Sequence, residues 1–122
     1  MRLHTGATTL ADSISVDLPR DGVRAVRAAT QTNGAYITVA DTDIIKGISE
    51  LGKYGIFAEP AGSTAFAGLR KAITEGIIHE DDPVVVINTG NGLKDIKAAM
   101  MAVENAPIIE PTMPALRKHL KV

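Results

Sequence analysis

The run Pro83-Val84-Val85-Val86-Ile87, closing on Asn88-Thr89-Gly90-Asn91-Gly92, decides how the rest of the chain is read. Four consecutive branched apolar residues without polar alternation suit a strand covered on both faces, the pattern of a parallel sheet between helices. The asparagines and glycines then end it at residue 88. A second stretch of this kind, Ala35-Tyr36-Ile37-Thr38-Val39-Ala40, lies between Gly34 and Asp41 and reads as a buried strand. Around these two, apolar residues recur at helical spacing. Val23, Val26 and Ala29 or Thr30 predict a helix over 22–32, started by Asp21 and stopped by Asn33-Gly34. Ile44, Ile45, Ile48 and Leu51 predict a second over 42–53, capped by Asp41. Ala65, Phe66, Leu69 and Ile73 predict a third over 61–74, entered through Glu59-Pro60.

The ends of the chain are less regular. Ser13-Ile14-Ser15-Val16-Asp17-Leu18 alternates and predicts a short half-exposed strand or extended arm. Ile96, Ala99, Met100 and Val103 fit a helix within 93–104. The tail over 106–122 carries Pro107, Pro111 and Pro114 before a short amphipathic piece over 115–120. Helices alternating with strands across short connections define an α/β fold: one domain over 1–122, three layers deep, around a small and mostly parallel sheet. Two clear strands are too few for such a sheet. Its edges are therefore expected to be covered by a second copy of the chain, by a separate polypeptide, or by the rest of a larger protein.

Composition narrows the function by exclusion. With 122 residues, 45% of them apolar, 22% charged and a net charge of -1, the chain has the balance of an ordinary globular domain. No long-range field gathers nucleic acid or an anionic membrane surface, so neither is expected as a partner. The absence of cysteine excludes a disulfide framework, a thiolate zinc site and a cysteine nucleophile, and fits a reducing compartment such as the cytoplasm. No apolar run approaches the ~20 residues of a membrane helix, and the first residues lack the apolar core of an export signal. His4, His79 and His119 lie too far apart to predict a joint metal site, and Glu80-Asp81-Asp82 reads as a solvated turn.

Two segments have a place where chemistry is done. Residues 88–95 follow a buried strand and precede a helix, where open α/β sheets bind ligands. Gly90 and Gly92 allow close backbone approach, and Thr89 and Asn91 bring hydrogen-bonding side chains. The position where a dinucleotide-binding loop has its third glycine is Asp95, and no Gly-Lys-Ser/Thr follows, so neither nucleotide motif is met. By pattern alone the segment is a turn. Glu59-Pro60-Ala61-Gly62-Ser63 puts a carboxylate at a helix start, able either to orient a ligand or, more commonly, to cap backbone amides. No serine-histidine-acid set and no carboxylate pair at catalytic spacing stands out.

Together, Gly55-Ile56-Phe57-Ala58-Glu59-Pro60-Ala61-Gly62-Ser63-Thr64-Ala65 and Val84-Val85-Val86-Ile87-Asn88-Thr89-Gly90-Asn91-Gly92-Leu93-Lys94-Asp95 resemble the C-terminal part of threonine synthase. Val39-Ala40-Asp41-Thr42-Asp43-Ile44 and Thr9-Leu10-Ala11-Asp12-Ser13-Ile14 extend the resemblance over about residues 8–95. It implies a partial fold-type II domain of the pyridoxal phosphate (PLP) enzymes of the tryptophan synthase β type. The complete enzyme would be a lyase of threonine biosynthesis, taking O-phosphohomoserine to threonine by phosphate elimination and β-hydration; a cysteate synthase or another PLP lyase shares these blocks.

The same resemblance implies that Thr89 bonds the pyridine nitrogen of the cofactor, that Glu59 stands near its ring, and that Gly90, Asn91 and Gly92 wall it. Asn91 replaces the histidine of many threonine synthases. The family's Schiff-base lysine and glycine-rich phosphate loop match no segment here, and Lys94 is not that lysine. No catalytic residue and no metal ligand is therefore assigned. The expectation is a C-terminal segment that is inactive and holds PLP weakly by itself, partnered by an N-terminal half or by a second copy as a homo-oligomer. The alternative is a non-catalytic module of the same fold that self-associates or binds a small anion at residues 89–92.

Overall fold

A computed structural model describes residues 6–121; His4 lies outside the described residues. Five helices succeed one another: α1 (Gly22–Gln31), α2 (Asp41–Lys53), α3 (Pro60–Thr74), α4 (Ile96–Met101) and α5 (Met113–Leu120), with 3-10 turns at Asp12–Ile14 and Gly92–Lys94. The first three match the helical spacing of the sequence to within a residue or two. The predicted stop after α1 is also present. Asn33 takes the left-handed conformation at φ 54° and the Gly34 amide returns to the Ala29 carbonyl at 2.8 Å.

The centre of the molecule is the contact of α2 with α3. Gly47 has no Cβ, and the space is filled by the Ser63 hydroxyl, which donates to the Ile44 carbonyl at 2.8 Å. Ile44, Ile48 and Leu51 of α2 and Ala67 and Ala72 of α3 are buried around this contact. Ala11 joins Ile44 and Ala67 from the N-terminal arm, with Val39 packed alongside. The arm is tied down by Asp41, whose carboxylate accepts from the Thr9 hydroxyl and from the Leu10 amide at 3.0 Å. Asp41 is thus the first residue of α2 and holds the arm, while Ala40 occupies the cap position without a side-chain bond.

Three expectations are corrected. Residues 12–14 form a 3-10 turn, with the Ile14 amide on the Ala11 carbonyl at 3.1 Å, where alternation had predicted a strand or arm. The last region is shorter than the predicted helix over 93–104. Gly92–Lys94 makes its own turn, and Asp95 caps a separate α4 by accepting from the Ala98 amide at 2.9 Å.

The third concerns the sheet. Among the described residues there is no strand: 34–40 and 83–90 carry no regular secondary structure, and one isolated antiparallel bridge, Ala58 with Asn91, is the sole ladder contact. An extended segment becomes a strand only when a neighbour takes its amides and carbonyls. No backbone hydrogen bond joins residues 35–39 or 84–88 to another described segment. The expected small parallel sheet in a three-layer fold is therefore not formed within this chain. Both segments instead border a groove of about 400 Å³ over α3, where Ile37, Val84 and Val86 face Ala65, Leu69 and Ala72. Val85 and Ile87, whose composition suits a covered strand, are 88% and 69% exposed.

Candidate functional site

The two segments singled out in the sequence come together at the isolated bridge. The Glu59 amide donates to the Gly90 carbonyl at 3.1 Å, and the Gly92 amide donates to the Phe57 carbonyl at 2.9 Å. Absence of side chains makes this approach possible. A Cβ on Gly90 would land on the Glu59 carboxylate, and one on Gly92 would strike the Phe57 ring, 2.8 Å from Cζ. A Cβ on Gly62 would meet Asn88 Oδ1 and the Gly90 backbone, 2.9 Å from the carbonyl oxygen. Three glycines on two segments are thus held by the same contact surface.

Each predicted site residue has a definite place on that surface. Glu59 stands at the cap position of α3, yet its side chain makes no cap bond. It turns instead onto Gly90, is only 7% exposed, and accepts from Lys94 Nζ at 2.7 Å. The capping reading of Glu59 is therefore corrected. Asn91 is engaged locally: its Oδ1 accepts from the Leu93 amide at 2.9 Å and caps the Gly92–Lys94 turn. Thr89 is exposed beside these groups, in extended chain, and among the described residues no hydrogen bond of its hydroxyl is formed. That hydroxyl is open to a ligand.

Sequence reasoning did not find the pairing of Lys94 with Glu59. The two are 35 positions apart and no periodicity connects them; the sole local signal was a lysine on a turn that the glycines already marked. Elsewhere, a cleft of about 330 Å³ between α2 and α3 is lined by Asp43, Lys46, Arg70, Lys71 and Glu75. Arg70 pairs with Glu50, and Lys71 pairs with Glu75 and donates to the Thr38 carbonyl at 2.7 Å. Among the described residues no group of three or more metal-ligating side chains occurs, and no helix is long and apolar enough to cross a membrane.

A glycine turn after an apolar segment is thus packed on a helix start, with an exposed hydroxyl near a buried carboxylate. The pyridoxal-phosphate dependent enzyme family matches residues 2–90, well over half of the sequence, and the chain belongs to that family. It is 40% identical over 114 residues to the threonine synthase of Methanocaldococcus jannaschii, an alignment covering 93% of this chain and 28% of that protein. It is 39% identical over 115 residues to the threonine synthase of Halalkalibacterium halodurans, covering 93% of this chain and 32% of that protein. The threonine synthase of Methanosarcina acetivorans is 32% identical over 113 residues. The chain therefore spans about a third or less of the length of these curated relatives.

Membership implies pyridoxal phosphate in the complete enzyme. The donor set here suits one end of that group. Thr89 offers an exposed neutral hydroxyl, and the missing Cβ atoms at residues 90 and 92 seat the Glu59 carboxylate and the Phe57 ring beside it. Lys94, the lysine of this turn, is engaged by the Glu59 carboxylate.

Proposed function

We propose that the chain is the C-terminal segment of a threonine synthase-like enzyme, whose complete form takes O-phosphohomoserine to threonine by phosphate elimination and β-hydration. Within it, the chain is one α/β domain that contributes the pyridine-nitrogen side of the cofactor site. The Thr89 hydroxyl receives the ring nitrogen, Glu59 stands near the ring, and Gly90, Asn91 and Gly92 form the wall beside it. When bound, the cofactor supplies an electron sink, and a neutral hydroxyl partner leaves its nitrogen less protonated than a carboxylate would. The chain's own part is to bind and orient.

The observation that carries this reading is the joining of the two family-like segments at Ala58 and Asn91, which brings the open Thr89 and the buried Glu59 to one surface. The lysine that tethers the cofactor has no match in the chain, so the chain alone is inactive and holds PLP weakly. What completes it is the N-terminal part of such an enzyme or, in the second reading, another copy of the chain. Segments 35–39 and 84–88 support this, because they make no backbone–backbone hydrogen bond among the described residues and could accept a neighbouring strand.

The test is a PLP titration of the chain with and without that N-terminal half, followed by borohydride reduction and mass spectrometry. The expected result is no lysine adduct on this chain in either case, with an adduct on the partner and threonine formation when the two are mixed. A single lysine adduct at one position of the isolated chain overturns the incomplete-enzyme reading. Retention of phosphate by a self-associated chain, with no activity from the mixture, identifies a non-catalytic module instead.

A further inference from the structure

We infer that Lys94 is a positioning residue that holds the Glu59 carboxylate on Gly90, at the edge of the cofactor site. The inference rests on the placement of Glu59 proposed above and adds a residue to it.

Glu59 has a simpler place to go. It stands at the cap position of α3, where the first-turn amides lack helical partners, and a carboxylate there gains from both hydrogen bonding and the helix dipole. It makes no such bond. Its side chain lies instead against Gly90, 7% exposed, in a space that any Cβ at residue 90 would fill. A carboxylate taken out of water in this way needs a cation or donors in compensation. Lys94 Nζ supplies both at 2.7 Å.

Packing does not force Lys94 into this position, since its side chain is 58% exposed and has solvent available. The turn that carries it is built for the crossing. Asn91 caps the start of Gly92–Lys94 through the Leu93 amide, and Asp95 ends it by capping α4 through the Ala98 amide. Both polar neighbours of the turn are thereby engaged locally, and Lys94 reaches across to the other segment. Without it, the buried Glu59 carboxylate has no compensating cation and leaves Gly90 for water, which changes the charge next to Thr89.

The experiment uses the cofactor-loaded enzyme assembled from this chain and its N-terminal half, comparing wild type, K94M, K94R, E59Q and the K94M/E59Q double variant. The readouts are kcat, KM and the cofactor's absorption spectrum. We expect K94M to lower kcat by about tenfold or more with KM within about twofold, and to alter the spectrum. K94R recovers most of the loss, and K94M costs less than about twofold in the E59Q background, because the lysine acts through Glu59. If K94M does not fold, K94Q takes its place in the same cycle. An unchanged spectrum and kcat in K94M, a K94R variant as impaired as K94M, or equal costs of K94M with and without Glu59 overturns the inference alone. A wild-type assembly that binds no cofactor overturns it together with the proposed function.

Discussion

At Thr89 and Gly90, adjacent positions of one turn, substitutions to alanine have different physical consequences. Thr89→Ala removes a hydroxyl that is exposed and forms no hydrogen bond among the described residues, so no hydrogen bond among them is disturbed. The expected effect is the loss of one hydrogen bond to the cofactor, about 1 kcal/mol, or roughly fivefold weaker PLP binding in the assembled enzyme. Gly90→Ala puts a methyl group where the Glu59 carboxylate sits, so Glu59 and its Lys94 partner both have to move. Displacing the buried Glu59 carboxylate from its half-exposed lysine costs about 2 kcal/mol, and PLP affinity is expected to fall by about thirtyfold. Equilibrium titration of the two variants checks the order, and equal losses would remove the distinction between an open hydroxyl and an occupied seat. Thr89 and the two glycines were legible in the sequence because the position of a turn after an apolar run is a local property. The Glu59–Lys94 pair was not, because it depends on how two distant segments meet.

Among the helices, Gly47 and Gly52 of α2 make the corresponding contrast. An alanine inside a helix is favoured over glycine by about 0.5–1 kcal/mol, so Gly52→Ala, with nothing within 4 Å of its new Cβ, is expected to stabilise by up to that amount. At Gly47 the same gain is outweighed. The new Cβ meets the fully buried Ser63 hydroxyl, which then loses its bond to the Ile44 carbonyl, and a net destabilisation of about 1–2 kcal/mol follows. Removing the hydroxyl makes room, so the G47A/S63A pair is expected to be less destabilised than G47A alone. Denaturant unfolding of the assembled enzyme measures all three, and a stabilised G47A would show that the helices adjust at no cost. The periodicity of α1, α2 and α3 was read correctly because a helix satisfies its own backbone. Residues 35–40 and 84–87 were read as buried strands, and no strand forms among the described residues. A strand, unlike a helix, needs the backbone of a neighbour, which local composition does not supply.

For the molecule as a whole, surface area measures how much is lacking. The chain exposes 9797 Å², whereas a folded monomer of 12.8 kDa is expected to expose about 6,300 Å². The excess on this chain alone, roughly 3,500 Å², is several times the ~800 Å² that each partner buries in a standard interface. Exposed apolar side chains run along the described residues from Leu10 to Leu120, and among them Val85 and Ile87 belong to a segment that borders the groove over α3 and makes no backbone–backbone hydrogen bond. A strand laid along that segment would pair its amides and cover neighbouring apolar surface at the same time. The expectation is that the isolated chain binds a hydrophobic dye, and that the amides of residues 35–39 and 84–88 exchange with solvent nearly unprotected. Adding the N-terminal half should abolish the dye signal and slow exchange at those amides by about a hundredfold or more. Protection of the same amides in a self-associated chain would assign the groove to a second copy. Protection in a monomeric chain would mean that the segments pair internally, and that the excess surface has a different origin.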